Sequence, residues 1–418
     1  MILYNLLRIL LYFVIMILAM FNGKLLKFFK SRLFQKIGND NFLNEEEEVT
    51  LIHFSSVGEF NLSQELIEKI LKSGENRKKE KVILSVMTDT GFSAVNKKYS
   101  ENDNVKVFYF PLDDFFVLRK IYKKYKIKKT IIIETEIWPN LYYFAAKNGK
   151  LFIVNGRLTE RKLKSYLKFN WFIKNTINRA EKIMVQSDFD KKRYEKLGIS
   201  ENKIKVYKNL KYSIKYNKIS NEKKQNYFET VLDKNKKIIV CGSTRPDEEK
   251  IWLEVLKKIN QNNEYQLVLV PRHLERVDEI EKIILENFSK KDYLLLTAIE
   301  KKEINLEEEN KKEIVIIDKM GILTDFYQLA DFVFVGGTLV NIGGHSILEP
   351  LFYGKKPIIG KYFQNIEEIV RDAQELGFIE ILENENEIIE YLKKSENVNT
   401  KRFFEKNNEI DKILNEIC

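Results

Sequence analysis

Cysteine and histidine are scarce in this chain, with two cysteines and three histidines among 418 residues. Cys241 lies inside an apolar run and Cys418 is the last residue, so the sequence supports neither a disulfide framework nor a cysteine-based zinc site; a reducing compartment fits this usage. The 17 glycines and 6 prolines are too few for a collagen-like or low-complexity chain. No Gly-Lys-Ser/Thr closes a phosphate loop, which disfavours Walker-type ATP hydrolysis, and no G-x-G-x-x-G follows a strand-like run as a dehydrogenase requires. Zinc-finger spacing, an RNP-like aromatic motif and a concentrated basic helix are also missing from the body of the chain. A nucleic-acid-binding role is therefore set aside, and the expectation is no nucleic-acid partner.

What is present points to a soluble globular bulk. The length suits two or three domains with ample cores. Hydrophobic residues make up 44% and charged residues 32%. Lys plus Arg (71) minus Asp plus Glu (61) leaves +10, which suits an anionic substrate, an anionic membrane surface or nucleic acid without choosing among them.

The first residues depart from this character. MILYNLLRILLYFVIMILAMF is interrupted only by Asn5 and Arg8, and about 20 such residues in a helix cross roughly 30 Å of hydrocarbon. Ala19-Met20-Phe21 is a poor cleavage site for a secretory signal, so residues 1–22 are expected to form a membrane anchor helix. An amphipathic helix lying on the surface is the alternative. Lys24, Lys27, Lys30, Arg32 and Lys36 follow in a basic and polar juxtamembrane segment, 23–45, which predicts an anionic membrane surface as partner and a cytoplasmic location for what comes after.

From there, short apolar runs alternate with longer amphipathic stretches. VTLIHFS, KVILSV, VKVFYF, TIIIET, LFIVNG and KIMVQS have the length of buried strands and the intervals of crossover helices, so 46–207 reads as a parallel α/β domain. The charged stretch 208–235 reads as a linker. KIIVCGS, YQLVLV, DYLLLT, EIVIID, FVFVGG and KPIIGK then define a second α/β domain over 236–395, with a C-terminal helix over 396–418. Open α/β sheets bind ligands beyond the C-terminal ends of their strands, which makes a cleft between the two domains the expected active site.

The residues able to carry chemistry cluster at those strand ends. His53-Phe54-Ser55-Ser56-Val57-Gly58-Glu59 follows the first strand and precedes a helix expected to start near Leu62. Glu59 there could take a proton from a hydroxyl, or simply complement the helix dipole. Glu134-Thr135-Glu136-Ile137-Trp138-Pro139-Asn140 runs from a strand into two carboxylates. On an extended chain these point to one face and raise each other's proton affinity, unless they only solvate a loop.

In the second domain Gly242-Ser243-Thr244, followed by Arg245-Pro246, has the makings of an anion site at a helix start, with ordinary capping as the other reading. Pro271-Arg272-His273 ends the next strand, where Arg272 could fork a phosphate or form a surface ion pair. The segment FVFVGGTLVNIGGHSILEP carries Gly336, Gly337, Thr338, Gly343, Gly344, His345, Ser346 and Glu349. Its glycines let amides approach a ligand, or serve only as turns. A helix carrying His345 and Glu349 four residues apart would put both on one face near its start.

These motifs together resemble the lipopolysaccharide Kdo (3-deoxy-D-manno-octulosonic acid) transferases over nearly the whole chain. The resemblance is carried by the N-terminal apolar helix, Ser-Val-Gly-Glu of 56–59, Glu-Thr-Glu-Ile-Trp-Pro-Asn of 134–140, Asn-Leu-Lys of 209–211 and Gly-Ser-Thr of 242–244. Pro-Arg-His of 271–273, Met-Gly of 320–321 and Gly-Gly-His-x-x-Leu-Glu-Pro of 343–350 complete it.

The resemblance implies an α/β fold of GT-B type, two Rossmann-like domains facing an interdomain cleft, with the N-terminal membrane helix added. It implies an inverting, metal-independent glycosyltransferase of the inner membrane, with no cofactor, taking Kdo from CMP-Kdo to a lipid A precursor (lipid IVA) in lipopolysaccharide core synthesis. Glu59 is then the general base, with Glu134 or Glu136 and Lys211 assisting. The donor site would be drawn from Gly242, Ser243, Thr244, Pro271, Arg272, His273, Met320, Gly321, Ile322, Gly337, Thr338, Gly344, His345, Ser346, Ile347, Leu348 and Glu349. The chain departs from the family pattern at Lys208, where the family often has Gly; at Arg245, where it has His; at Ile322, where it has an acidic residue; and at Ser346, where it has Asn. An inverting transferase using a UDP-hexose is the rival reading within the class.

Overall fold

A computed structural model of the protein describes residues 1–35, 37, 42, 48–73, 80–301, 311–394 and 398–417. Lys36, most of the acidic stretch before Glu48, and Cys418 lie outside these described residues. The chain divides into two compact units, Met1–Lys215 with Asn408–Cys418, and Tyr216–Asn407.

Unit 1 is built on β1 (Val49–Phe54), β2 (Lys81–Val86), β3 (Val105–Tyr109), β4 (Lys129–Ile133), β5 (Lys150–Gly156), β6 (Lys182–Val185) and β7 (Ile204–Val206). The order is β3-β2-β1-β4-β5-β6-β7, and every pairing is parallel. Alternate residues go to opposite faces, as a pleated strand requires. Leu51, Ile83, Ile132 and Ile153 join one core cluster, while Ile52, Phe54, Leu84, Ile131 and Ile133 join the other. The helix Ile410–Ile417 returns to this second face through Ile410, Ile413 and Ile417, one stripe of its surface.

Unit 2 carries β8 (Lys237–Thr244), β9 (Tyr265–Pro271), β10 (Tyr293–Leu295), β11 (Ile314–Ile316), β12 (Phe332–Val335), β13 (Pro357–Ile359) and β14 (Glu380–Ile381). They lie in the order β10-β11-β9-β8-β12-β13-β14, again all parallel. The apolar runs of the sequence all became strands. β7 and β14, each very short and at a sheet edge, had no such run to announce them.

The stretch expected as a linker divides between the units. Leu210 and Tyr212 are buried in unit 1, and the helix Asn221–Thr230 belongs to unit 2, where Tyr227 meets Phe326 with ring centres 4.8 Å apart. The expected C-terminal helix is likewise two: Arg402–Asn407 in unit 2 and Ile410–Ile417 in unit 1.

In both sheets the strand order reverses next to the first strand, between β1 and β4 and between β8 and β12. Ligands of open α/β sheets bind beyond the strand ends at such switch points.

Candidate functional site

At the switch point of unit 1, β1 and β4 lie side by side. After Phe54 the chain turns through Ser55 and Ser56 into the helix Val57–Ser73, which starts several residues earlier than the hydrophobic pattern suggested. Ser56 Oγ accepts from the Glu59 amide (3.3 Å), and the Glu59 carboxylate reaches back to accept from the Ser55 amide. This is close to a capping box, so the capping role weighed for Glu59 is part of its structure. The same side chain is half-buried, and burial, assisted by the negative charges of Glu136 and Glu134, pushes its carboxyl up to about 7 against the lowering effect of the Ser55 and Ser56 hydrogen bonds.

β4 ends at Ile133, and Glu134 takes the left-handed region at φ +62°. The extended geometry expected for the two carboxylates is therefore absent, and their environments diverge. Glu136 accepts from His53 Nε2 (3.0 Å), Trp138 Nε1 (3.0 Å) and Ser55 Oγ. Burial alone would raise its carboxyl, yet these donors hold it down at about 2. The expectation that both carboxylates raise each other's proton affinity fails for Glu136 for this reason. Glu134 moves the other way: burial raises it, with Arg157 and Lys162 opposing and Glu136 adding to the rise.

His53 is fully buried and fixed at its second nitrogen by Ser85 Oγ (3.2 Å). Ser55, His53 and Trp138 were quoted as parts of motifs without being given roles. A histidine in an otherwise apolar strand was the available signal.

Lys211 sits in the turn Leu210–Ser213, which packs against the helix of Glu59. Asn209 caps this turn by accepting from the Lys211 amide (3.0 Å) and donates to Gln186 (2.7 Å). Asn155, left-handed at φ +59°, accepts from the Leu210 amide (3.0 Å). The Asn-Leu-Lys motif is thus fixed as a backbone platform holding Lys211 beside its helix.

In unit 2 the ends of β8, β9 and β12 bring the motif residues together. Ser243 is left-handed at φ +56°, and the Arg272 amide donates to Thr244 O (3.1 Å), tying the Gly-Ser-Thr and Pro-Arg-His segments. Arg245 donates from Nε to His345 Nε2 (3.2 Å) and from Nη1 to His273 Nε2 (2.8 Å). A guanidinium can only donate, so both imidazoles accept at those atoms. Burial, then Arg245, Arg272 and His273, press the His345 imidazole down to about 4. Arg245 and Arg272, with two histidines between converging strand ends, make a cationic cluster suited to a phosphate. The Thr244 hydroxyl beside it is buried without a partner.

Other predicted donor residues turn out to build the loop. One amide just ahead of the helix Glu248–Ile259 and three of the glycine loop face a carboxylate of the protein itself. Glu248, fully buried, accepts from the amides of Arg245 (3.0 Å), Gly337 (2.8 Å), Thr338 (3.0 Å) and Leu339 (3.0 Å). Gly337 and Thr338 therefore offer their amides inward, and Thr338 Oγ1 is also occupied, by Val335 O (2.7 Å) and the Gly360 amide (2.9 Å). Gly336 must be glycine, because a Cβ would fall 2.3 Å from Ser243 O.

The helix expected to carry both His345 and Glu349 begins only at Leu348. His345 and Ser346 belong to the preceding loop, where the Gly344 amide donates to Gly337 O (2.7 Å). Ile347 and Leu348 point into the core. Glu349 is raised by burial, with Arg272 opposing. Met320, Gly321 and Ile322 form an exposed turn ahead of the helix Leu323–Leu329, whose buried Tyr327 packs against Gly242. Among the described residues no group of three His, Cys, Asp or Glu side chains is placed to hold a metal ion.

Comparison with known proteins gives a consistent picture. A family model described as 3-deoxy-D-manno-octulosonic-acid transferase (kdotransferase) matches residues 30–214. A bifunctional glycosyltransferase/methyltransferase of Fusobacterium nucleatum is 38% identical over 369 residues, covering 87% of this chain; the chain spans 56% of that protein. The 3-deoxy-D-manno-octulosonic acid transferase of Rickettsia typhi is 29% identical, covering 83% of this chain and 72% of the relative. Among solved structures, a UDP-GlcNAc 2-epimerase from Neisseria meningitidis shares the fold at TM-score 0.52 and 12% identity, over 88% of this chain and 100% of the epimerase.

Proposed function

Since the chain belongs to the 3-deoxy-D-manno-octulosonic acid transferase family, we propose that it transfers Kdo from CMP-Kdo to a hydroxyl of a lipid A precursor such as lipid IVA, inverting the anomeric carbon, in lipopolysaccharide core synthesis. The observation that supports this reading most directly is the split between Glu59, pushed up to about 7, and Glu136, held near 2. Two carboxylates driven apart by their surroundings mark an acid/base assignment.

In this reading the acceptor oxygen attacks the anomeric carbon of Kdo as its proton passes to the Glu59 carboxylate, and the bond from that carbon to the CMP phosphate oxygen breaks. Glu136 stays ionised throughout, orienting Ser55 and Trp138 around Glu59's turn. Glu134 and Lys211 flank the reacting centre. Arg245 and Arg272 meet the phosphate and stabilise the charge that grows on it as CMP departs, which is the work a metal ion performs elsewhere. Metal-independent transfer at the cytoplasmic face of the inner membrane belongs to the same proposal.

Mass spectrometry tests it. A lipid A precursor incubated with the full chain, CMP-Kdo and excess chelator should gain mass in Kdo units. No gain beside an active control transferase, or gain only with a UDP-hexose, would overturn the donor assignment.

A further inference from the structure

The helix Ile2–Met20 is, by length and composition, able to cross a membrane. Its polar residues form one stripe, and each is bound to the body of unit 1. Tyr4 Oη donates to Asp113 Oδ2 (2.8 Å), Asn5 and Asn140 exchange hydrogen bonds (3.0 and 2.7 Å), and Arg8 pairs with Asp114 (2.8 Å). Tyr12 donates to Leu112 O. Arg8, whose charge interrupted the apolar run in sequence, is therefore neutralised on the protein side.

These contacts conflict with a spanning helix. With Met20 at the near interface, Tyr4 lies about 24 Å further along the helix, into or across the hydrocarbon. Asp113 and Asn140 would have to go with it. Asp113 is itself buried, accepting from the amides of Asn140 (2.9 Å) and Leu141 (2.8 Å), so it cannot follow without dragging the body of unit 1 into the bilayer.

The opposite face has no such partners. Leu3, Leu10 and Ile17, spaced by seven and so on one line, are 70%, 62% and 45% exposed. The next helix, Gly23–Leu33, exposes Lys24, Lys27 and Lys30. Arg32, expected in that basic cluster, is instead fully buried, bonded to Met87 O (2.6 Å) and Asp89 (2.9 Å). Near the other end of the first helix, Phe116 and Trp171 are 67% and 78% exposed, next to residues that hold it. An apolar strip flanked by lysines and exposed aromatic rings matches the layering of a leaflet with anionic headgroups.

We propose that Ile2–Met20 lies in the plane of an anionic bilayer leaflet as a docked part of unit 1, with Lys24, Lys27 and Lys30 on the headgroups and Phe116 and Trp171 at the same interface. This deepens the membrane part of the transferase reading and rests on it for the bilayer as partner.

The test uses the full chain with Cys241→Ala and Cys418→Ser, carrying single spin-labelled cysteines at Leu3, Leu10 or Ile17. Their depths are measured in vesicles of phosphatidylcholine with phosphatidylglycerol. One shared shallow depth is expected. A profile deepest at position 10, with positions 3 and 17 near opposite surfaces, overturns the proposal in favour of a span, and no vesicle binding at all removes the bilayer as occupant. Replacing Lys24, Lys27 and Lys30 with Gln should weaken binding to the anionic vesicles by about a hundredfold and leave binding to phosphatidylcholine alone unchanged; equal binding to the anionic vesicles overturns the headgroup contact. None of these readouts depends on sugar transfer, so they separate from any failure of the transferase assignment.

Discussion

His53 Nε2 lies 3.0 Å from Glu136 Oε2, joining the end of β1 to the loop after β4. Because an ionised carboxylate only accepts, that ring nitrogen carries the hydrogen. The contact fixes Glu136 as a permanent anion, and this anion in turn receives Ser55, whose own amide is bound by Glu59. Of the two carboxylates joined through Ser55, Glu59 is therefore the one with raised proton affinity, while Glu136 sets the geometry around it. Glu136 is fixed by three donors, and Glu134, near Arg157 and Lys162, is the carboxylate with fewer fixed bonds among the described contacts; in the proposed mechanism this makes Glu136 a positioning group.

Replacing Glu59 with Gln should keep donor binding and fold while lowering kcat by about 10²–10⁴-fold. In the unchanged protein kcat/KM should fall on the acid side with an apparent pKa near 7, following the raised carboxyl, and the Gln variant should lose that limb. Steady-state rates across the pH range check both statements. A wild-type rate in the variant would remove Glu59 as the base.

Stability should respond to pH with one sign at Glu136 and the opposite sign at Glu59 and Asp113. Glu136 drops from 4.5 to about 2 on folding, so its contribution, on the order of 3 kcal/mol, is present above pH 4.5 and is lost as pH falls through 2. Glu59 and Asp113 are raised to about 7, so their ionisation weakens the fold as pH rises from their ordinary range through 7. Thermal unfolding should therefore show a maximum on the mildly acid side, and Glu136→Gln should flatten the acid fall. A midpoint that climbs steadily to alkaline pH contradicts this.

Much of this was legible in the sequence because buried parallel strands must be continuous apolar runs, and such runs ended in polar motifs wherever a site formed. The placement of side chains was harder. Arg8 read as a break in the apolar run and Arg32 as part of the basic cluster, because nothing local reveals that Asp114, Asp89 and the Met87 carbonyl wait for them far along the chain. Glu248 was passed over as one acidic residue among three at a helix start, since its partners, the amides of 337–339, lie some ninety positions away. The segment after Gly343 looked helical by its His345 and Glu349 spacing, yet Gly343 and Gly344, both at positive φ, hold it as a loop until Leu348.

Glu248→Ala should therefore destabilise unit 2 by about 2–5 kcal/mol, since it strands four amides that now share one carboxylate, those of Gly337 and Thr338 in buried bonds. Urea unfolding measures the loss, and CMP binding should weaken along with it because the 336–339 loop loses its support. Destabilisation within a few tenths of a kcal/mol would mean that the amides find other partners.

Arg245 stands where the family often has His. It donates to both His345 and His273 and contributes to holding His345 at about 4. Arg245→Gln removes one cation while burial and Arg272 remain, so the His345 pKa should rise without reaching the ordinary 6.5. With only three histidines in the chain, imidazole NMR resolves each titration. The same change takes a charge-assisted donor from the anion pocket, so CMP affinity measured by calorimetry should fall by roughly ten- to a hundredfold. If His345 titrates as before, the contact with Arg245 is not formed in solution. If His345 shifts while CMP binds undiminished, Arg245 holds the histidines and does not meet the phosphate, and Arg272 remains the arginine assigned to that charge.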